Sequence, residues 1–142
     1  MADHEQFELL MHDVDGWNRW RAENPGVKPD LSYAVMRGAN LPLADLSWAQ
    51  LRESDLVLAN LRGADLRHAD LSGANLIGAR LLGVDLAQAN ICGADLSTAE
   101  DLTEEQLRQT HGDVLTKLPE DLPAPKNWTE KGPKRRAAEK SG

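Results

Sequence analysis

Four histidines and one cysteine are the side chains of this 142-residue chain best suited to acid–base, nucleophilic or metal chemistry. His4, His12, His68 and His111 fall in three separate regions. None belongs to a His-Glu-x-x-His zinc motif, and there is no Gly-x-Ser-x-Gly elbow or phosphate-loop spacing. On a helix, His4 and His12 would stand about two turns apart, too far to share one metal without ligands from elsewhere. Cys92 has no basic partner in sight to turn its thiol into a nucleophile. The residues predict no enzyme, no metal site and no cofactor.

Composition points the same way. Leu and Ala supply 40 residues, whereas Phe, Trp and Tyr together supply six, so the core must be thin and uniform, Leu packed on Ala. No apolar run of about 18 residues could cross a membrane. The N-terminus, with Asp3, Glu5 and Glu8, has neither the basic region nor the apolar stretch of a signal peptide. A lone cysteine excludes an internal disulfide framework and suits a reducing compartment, so the expected location is the cytoplasm. The net charge of −7 is uneven. Residues 131–142 carry five basic residues against Glu139, a net +4, which leaves −11 on residues 1–130. An acidic body is a poor ligand for a polyanion, so direct nucleic-acid binding is not expected.

The elements that must carry these residues are set by a repeat. From position 31 to 96 an apolar residue recurs at every fifth place: Leu31, Met36, Leu41, Leu46, Leu51, Leu56, Leu61, Leu66, Leu71, Leu76, Leu81, Leu86, Ile91 and Leu96. Two residues before each centre from Met36 onward stands a small residue, Ala in all but Ser54 and Val84. One residue before the centre is usually Asp or Asn. On a helix such centres would spiral round the whole surface, and on a flat strand they would alternate between faces. Only a chain that bends once per pentad keeps every centre pointing inward. Gly38, Gly63, Gly73, Gly78, Gly83 and Gly93 all fall two residues after a centre, where a type II turn needs positive φ. The expected fold is an all-β solenoid of very short strands, with coils stacked at ~4.8 Å through parallel ladders.

The Ala-Asp/Asn-Leu-x-x pattern resembles the pentapeptide-repeat proteins over residues 29–98. That resemblance implies a right-handed quadrilateral parallel β-helix with four pentads per coil. The fourteen pentads would make about 3.5 coils, a rod of ~17 Å. The β-helix is expected over 29–99, flanked by an N-terminal helical cap (1–26). A C-terminal capping helix and extended strap (100–128) and a disordered basic tail (129–142) would follow. Phe7, Leu10, Met11, Val14 and Trp17 outline one amphipathic N-terminal helix that stops at Asn24-Pro25-Gly26. Thr103 and Gln106 form a capping box with Leu102 and Leu107 as its staple, and Gly112 is expected to end that short helix. The prolines of Leu118–Trp128 suit an extended strap along the rod. Both flanks look like segments found beside the repeats in bacterial family members.

With four pentads per coil, residues twenty apart stack, and the candidate surfaces follow. Asp45, Asp65 and Asp85 form the one column with adjacent like charges, relieved by Arg67. It reads either as an acidic stripe offered to a basic partner or as a solvated face. Trp48 and His68 stack beside it, and an exposed Trp near carboxylates suits a binding hot spot. Val57, Leu58 and Ile77, with Val35 below them, put apolar side chains outward, and Leu43 and Leu82 mark the next face. These need cover, from a terminal segment or from a partner. The predicted function is a non-catalytic protein-interaction or scaffold module with an unidentified protein partner, as a monomer or weak homodimer. The family resemblance implies an alternative, a DNA-mimicking decoy that binds a type II topoisomerase such as DNA gyrase through its acidic face. Against it, this rod spans only about five base pairs, no centre is Phe, and Arg52, Arg62 and Arg67 interrupt the acidic surface.

Overall fold

Every pentad closes its turn with the same hydrogen bond. The amide three residues past each centre donates to the carbonyl of the centre, as in Ala59 to Leu56 at 3.0 Å and Ala69 to Leu66 at 3.1 Å. The residue between, two past the centre, has φ near +60° to +70° in thirteen of the fourteen pentads, whether it is Gly or not. Stacked pentads join through single parallel bridges rather than long strands. Asp30 pairs with Gln50, Val35 with Asp55, Asn40 with Asn60 and Asp45 with Asp65, and the step of twenty continues up to Arg80 with Glu100. Four such columns make a four-sided rod with the centres at its axis. A computed structural model describes residues 1–131 of the chain.

Leu46, Leu51, Leu56, Leu61, Leu66, Leu71, Leu76, Leu81 and Leu86 are all buried, and Ala fills the corners between them. Each such Leu contributes about 1.5–3 kcal/mol by leaving water. The ladder also runs past the last regular pentad. His111 pairs with Asn90 and Lys117 with Asp95, so a longer excursion inserted after Glu100 returns the chain to two of the four columns.

Four short helices close the ends. The N-terminal segment is two helices rather than one, α1 (His4–His12) and α2 (Val14–Glu23). The break is at Asp13, whose carboxylate accepts the Gly16 amide at 2.8 Å and so caps α2. Leu10 and Trp17 are fully buried, while Phe7, Met11 and Val14 pack partly against the core. At the other end, α3 (Glu104–Arg108) has the capping box between Thr103 and Gln106. Gly112 does not end it, since the helix stops at Gln109. A Cβ on Gly112 would lie 2.6 Å from the indole of Trp128, so glycine is required there for close approach.

The strap is not extended throughout and does not line the side of the rod. It turns at Pro119–Leu122, where the Leu122 amide donates to Pro119 O at 3.0 Å, and then enters α4 (Lys126–Lys131). Leu118 and Leu122 pack against the core, and Trp128 is buried with its indole N–H toward Thr110 O. The segment therefore closes the C-terminal end beside α3. Of the expected tail, residues 129–131 continue α4 and residues 132–142 lie outside the described residues.

Ser54 interrupts the buried Ala column, and its hydroxyl has no hydrogen-bond partner among the described residues. Ser54→Ala should raise stability by about 1 kcal/mol in urea unfolding, because it removes an unsatisfied buried group. Leu66→Asp should abolish the cooperative transition, since an unpaired charge at the axis costs several kcal/mol.

Candidate protein-interaction surface

Asp45, Asp65 and Asp85 form one column, joined by the bridges Asp45–Asp65 and Asp65–Asp85. Each has a local task. Its Oδ1 accepts the amide two residues on: Ser47 at 3.2 Å, Arg67 at 3.0 Å and Ala87 at 3.1 Å. Asn60, Asn75 and Asn90 do the same with Arg62, Ile77 and Cys92. The recurring Asp/Asn is thus an Asx turn that starts each bend. The clue lay in the sequence: Asp and Asn interchange along the columns, and the oxygen they share is the group the turn needs.

Two guanidinium groups meet the three carboxylates. Arg67 donates from Nε to Asp65 Oδ1 at 2.9 Å and from Nη2 to Asp65 Oδ2 at 2.6 Å, and its Nε lies 3.9 Å from Asp85 Oδ2. Arg21 reaches in from α2, almost fully buried. Its Nη1 donates to Asp45 O at 3.0 Å and lies 3.7 Å from Asp45 Oδ1. The hydrogen bond from Arg67 holds the Asp65 carboxyl below the usual carboxylate range, against the opposing effect of burial, and the charge of Arg21 adds to it. Arg67 was visible in the sequence as relief for the stripe. Arg21 was not, because nothing in a helix sequence says which rung its side chain will reach.

At the adjoining corner the rings of Trp48 and His68 stack at 4.1 Å with 5° between their planes. Lys28 Nζ lies 5.1 Å from the Trp48 ring centre. The column continues to Gln88, whose Oε1 is 2.9 Å from His111 Nε2. Trp48 remains 47% exposed.

The apolar set divides. Val57 is only 7% exposed and is not available to a partner, and Ile77 is half-buried. Both follow a centre directly, as the first residue inside the turn; Arg37 in the coil below Val57 reaches across to Asp55 at 2.9 Å. Leu58, one residue on, is 63% exposed at a corner, and Leu43 at its own corner is 71% exposed. Both adopt positive φ, at 62° and 64°. Each lies over a glycine of the next coil: a Cβ on Gly78 or Gly63 would come within 2.7 Å of the leucine Cδ2. Among the described residues, no group of three or more His, Cys, Asp or Glu side chains could hold a metal ion, and no helix is long and apolar enough to cross a membrane.

The sequence profile of pentapeptide repeats matches residues 28–57 and 58–97, in 8 copies. Among solved structures, the pentapeptide repeat protein Rfr23 from the cyanobacterium Cyanothece 51142 is 30% identical with a TM-score of 0.50, covering 70% of this chain and 67% of that one. HetL from Nostoc sp. strain PCC 7120, a pentapeptide repeat protein involved in heterocyst differentiation regulation, is 33% identical with a TM-score of 0.40. That match covers 57% of this chain and 38% of HetL, so the chain spans well under half of HetL's length. QnrB1, a plasmid-mediated fluoroquinolone resistance protein, is 20% identical over 64% of this chain and 60% of its own, with a TM-score of 0.29. No curated protein matches the chain.

The Asp65–Arg67 contact has a pH signature. A carboxyl whose folded pKa is depressed stabilises the fold above its unfolded value, near 3.9, and that stability is lost as pH falls through the folded value. Melting temperatures measured from pH 7 down to pH 2 should therefore fall below about pH 4, and the fall should be shallower in Asp65→Asn, which keeps the turn oxygen but not the charge.

Proposed function

The chain belongs to the pentapeptide-repeat family, whose members fold as right-handed quadrilateral β-helices, and from that premise we propose that it is a non-catalytic protein-interaction module built on about 3.5 coils. The observation that carries this reading is the corner chemistry. A non-glycine residue in the left-handed region costs roughly 1–2 kcal/mol, and glycine takes the same place in six other pentads. Leu43 and Leu58 nonetheless occupy it with large apolar side chains turned largely to solvent, and Trp48, stacked on His68, keeps 47% of its surface exposed. Burial does not account for that choice, whereas contact with a partner does. Leu58 with Val35, and Trp48 with His68, supply apolar surface on a backbone locked by its ladders, so little ordering entropy is lost on association. The partner is a protein, the chain works as a monomer or weak homodimer, and the single Cys92 suits a reducing compartment such as the cytoplasm.

The decoy reading, in which the acidic face imitates DNA for a type II topoisomerase, has less support from the charges. Arg21 and Arg67 leave the Asp45–Asp65–Asp85 stripe with a net charge of about −1, far from the charge per 1.7 Å of a duplex.

Two experiments test the assignment. In affinity capture from a cell extract, the wild-type chain should retain a specific protein that the Trp48→Ala/Leu58→Ser double variant loses about tenfold or more, with its melting temperature unchanged. Equal retention by both overturns the corner as the binding surface. In a gyrase supercoiling assay, micromolar protein should have no effect. An effect that disappears in Asp45→Asn/Asp65→Asn/Asp85→Asn, where the turn oxygens survive, would replace the module reading with the decoy.

A further inference from the structure

The N-terminal end of the ladder is only half closed. The lowest residue of each column has an N–H and a C=O that would bond to a coil beneath. For Asp30, α1 supplies the partners: the Asp3 amide donates to Asp30 O at 2.8 Å, and Gln6 Oε1 accepts the Asp30 amide at 2.8 Å. For Asp45, α2 supplies them. Asn18 Oδ1 accepts the Asp45 amide at 2.8 Å, while Trp17 Nε1 and Arg21 Nη1 donate to Asp45 O. The equivalent groups of Val35 and Asn40, on the two faces between, have no hydrogen-bond partner among the described residues.

Their local chemistry is unusual in the same way. Val35 stands where an Asx residue belongs, so it offers no side-chain oxygen to the Arg37 amide, and the residue two past Asn40 is Pro42, which has no amide. Val35 is 68% exposed. A cavity of about 370 Å³ lined by His4, Phe7, Tyr33 and Val35 opens beside it, with room for an apolar side chain.

We propose that the edge formed by Val35 and Asn40 binds a segment of a partner polypeptide, two short strands joined by one pentad-like bend, which takes the place of a missing coil beneath those two faces. An unpaired row of backbone donors and acceptors is a template for strand addition. This row continues the coil-on-coil interface that builds the rod, in its register and direction. Its occupant pairs parallel to residues 34–41 and sets an apolar side chain against Tyr33 and Val35. This edge shares Val35 with the Leu58 surface, but its test reads backbone amides and does not depend on Trp48 or Leu58.

Amide hydrogen exchange followed by NMR reads the edge directly. In the free chain, Val35 and Asn40 should exchange fast, whereas Asp55 and Asn60 of the next coil, bonded to Ala34 O and Ala39 O, should be protected. The probe is a synthetic peptide of the chain's own residues 54–63, the segment that pairs with 34–43 from the other side. At about millimolar concentration it should slow Val35 and Asn40 by about tenfold or more, and a shuffled peptide should not. Val35→Pro and, separately, Asn40→Pro remove amides that bond to nothing among the described residues; Val35→Pro should melt as wild type does, Asn40→Pro slightly lower because it also loses the Asn60 Nδ2 bond to Asn40 Oδ1 at 3.0 Å, and each should lose the slowing at the remaining edge amide. Three results overturn the proposal: no slowing by the peptide, equal slowing by the shuffled control, or protection already present in the free chain together with a doubled mass in light scattering. The last would make the occupant a second copy.

Discussion

The constraint on which the structure rests is the coincidence of two hydrogen bonds in each pentad. One closes the turn, from the amide three residues past the centre back to the centre's carbonyl. The other passes from coil to coil, as in Leu56 N–H to Asn75 O at 2.8 Å. Neither is strong by itself, at about 1 kcal/mol net. Together they fix a bend of one corner per five residues, and that bend brings Leu56, Leu61, Leu66 and Leu71 to the same axis from four sides. The apolar core follows from the turn. Without the turn, a period of five scatters the leucines over any regular element.

The same coincidence explains the otherwise odd composition. With the centres and corners spoken for by Leu and Ala, there is no room for aromatic side chains inside the repeat, and the buried tryptophans, Trp17 and Trp128, occur at the ends. There the ladder stops, and its last N–H and C=O groups need partners of other kinds. Trp17 combines apolar bulk with a donor to Asp45 O at 2.8 Å, and Trp128 points its indole N–H at Thr110 O. Gln106 does the equivalent work at the C-terminal end, donating to Leu81 O and Val84 O at 3.0 Å each. The ends are therefore sealed by side chains that pair an apolar or helical body with a polar tip, a need the interior pentads never have.

What was legible in the sequence was whatever repeats. Fourteen centres at a spacing of five exclude helix and flat strand on geometry alone, and the glycines two residues later locate the positive φ. What was not legible happens once. Asp13 splits the N-terminal helix because a single carboxylate caps its second half, and the apolar spacing of Phe7, Leu10, Met11, Val14 and Trp17 runs across that break undisturbed. Gly112 looked like a helix stop because that is a common role for glycine, whereas here the indole of Trp128 claims the space. The prolines of the strap favour open backbone, but Pro119 equally begins a turn. Arg21 reached Asp45 from a helix whose docking no pattern encodes. Val57 points outward by its place in the pentad, yet it is 7% exposed, and outward placement alone does not report how far neighbouring coils cover a side chain.

Within the pentad itself, three of five positions are committed: the small residue by corner packing, the Asp or Asn by its bond to the amide two residues on, the Leu by the axis. The residues directly after the centre and one further on are left to vary, and they do. After the centre stand Ser, Arg, Val, Ile, Leu, Ala, Cys and Pro; at the next place stand Gly, Trp, His, Leu, Glu, Tyr, Gln and Thr. Except at Thr98, the second of these is held at positive φ, which glycine meets at least cost, so any other residue there is retained against a local preference. Part of that cost is recovered where Leu43 and Leu58 settle over glycines of the next coil. The remainder is not recovered by burial, because both stay largely in solvent. On the function proposed, specificity in such a rod is written at its corners, and the acidic columns that dominate its charge are largely the consequence of how the turns begin.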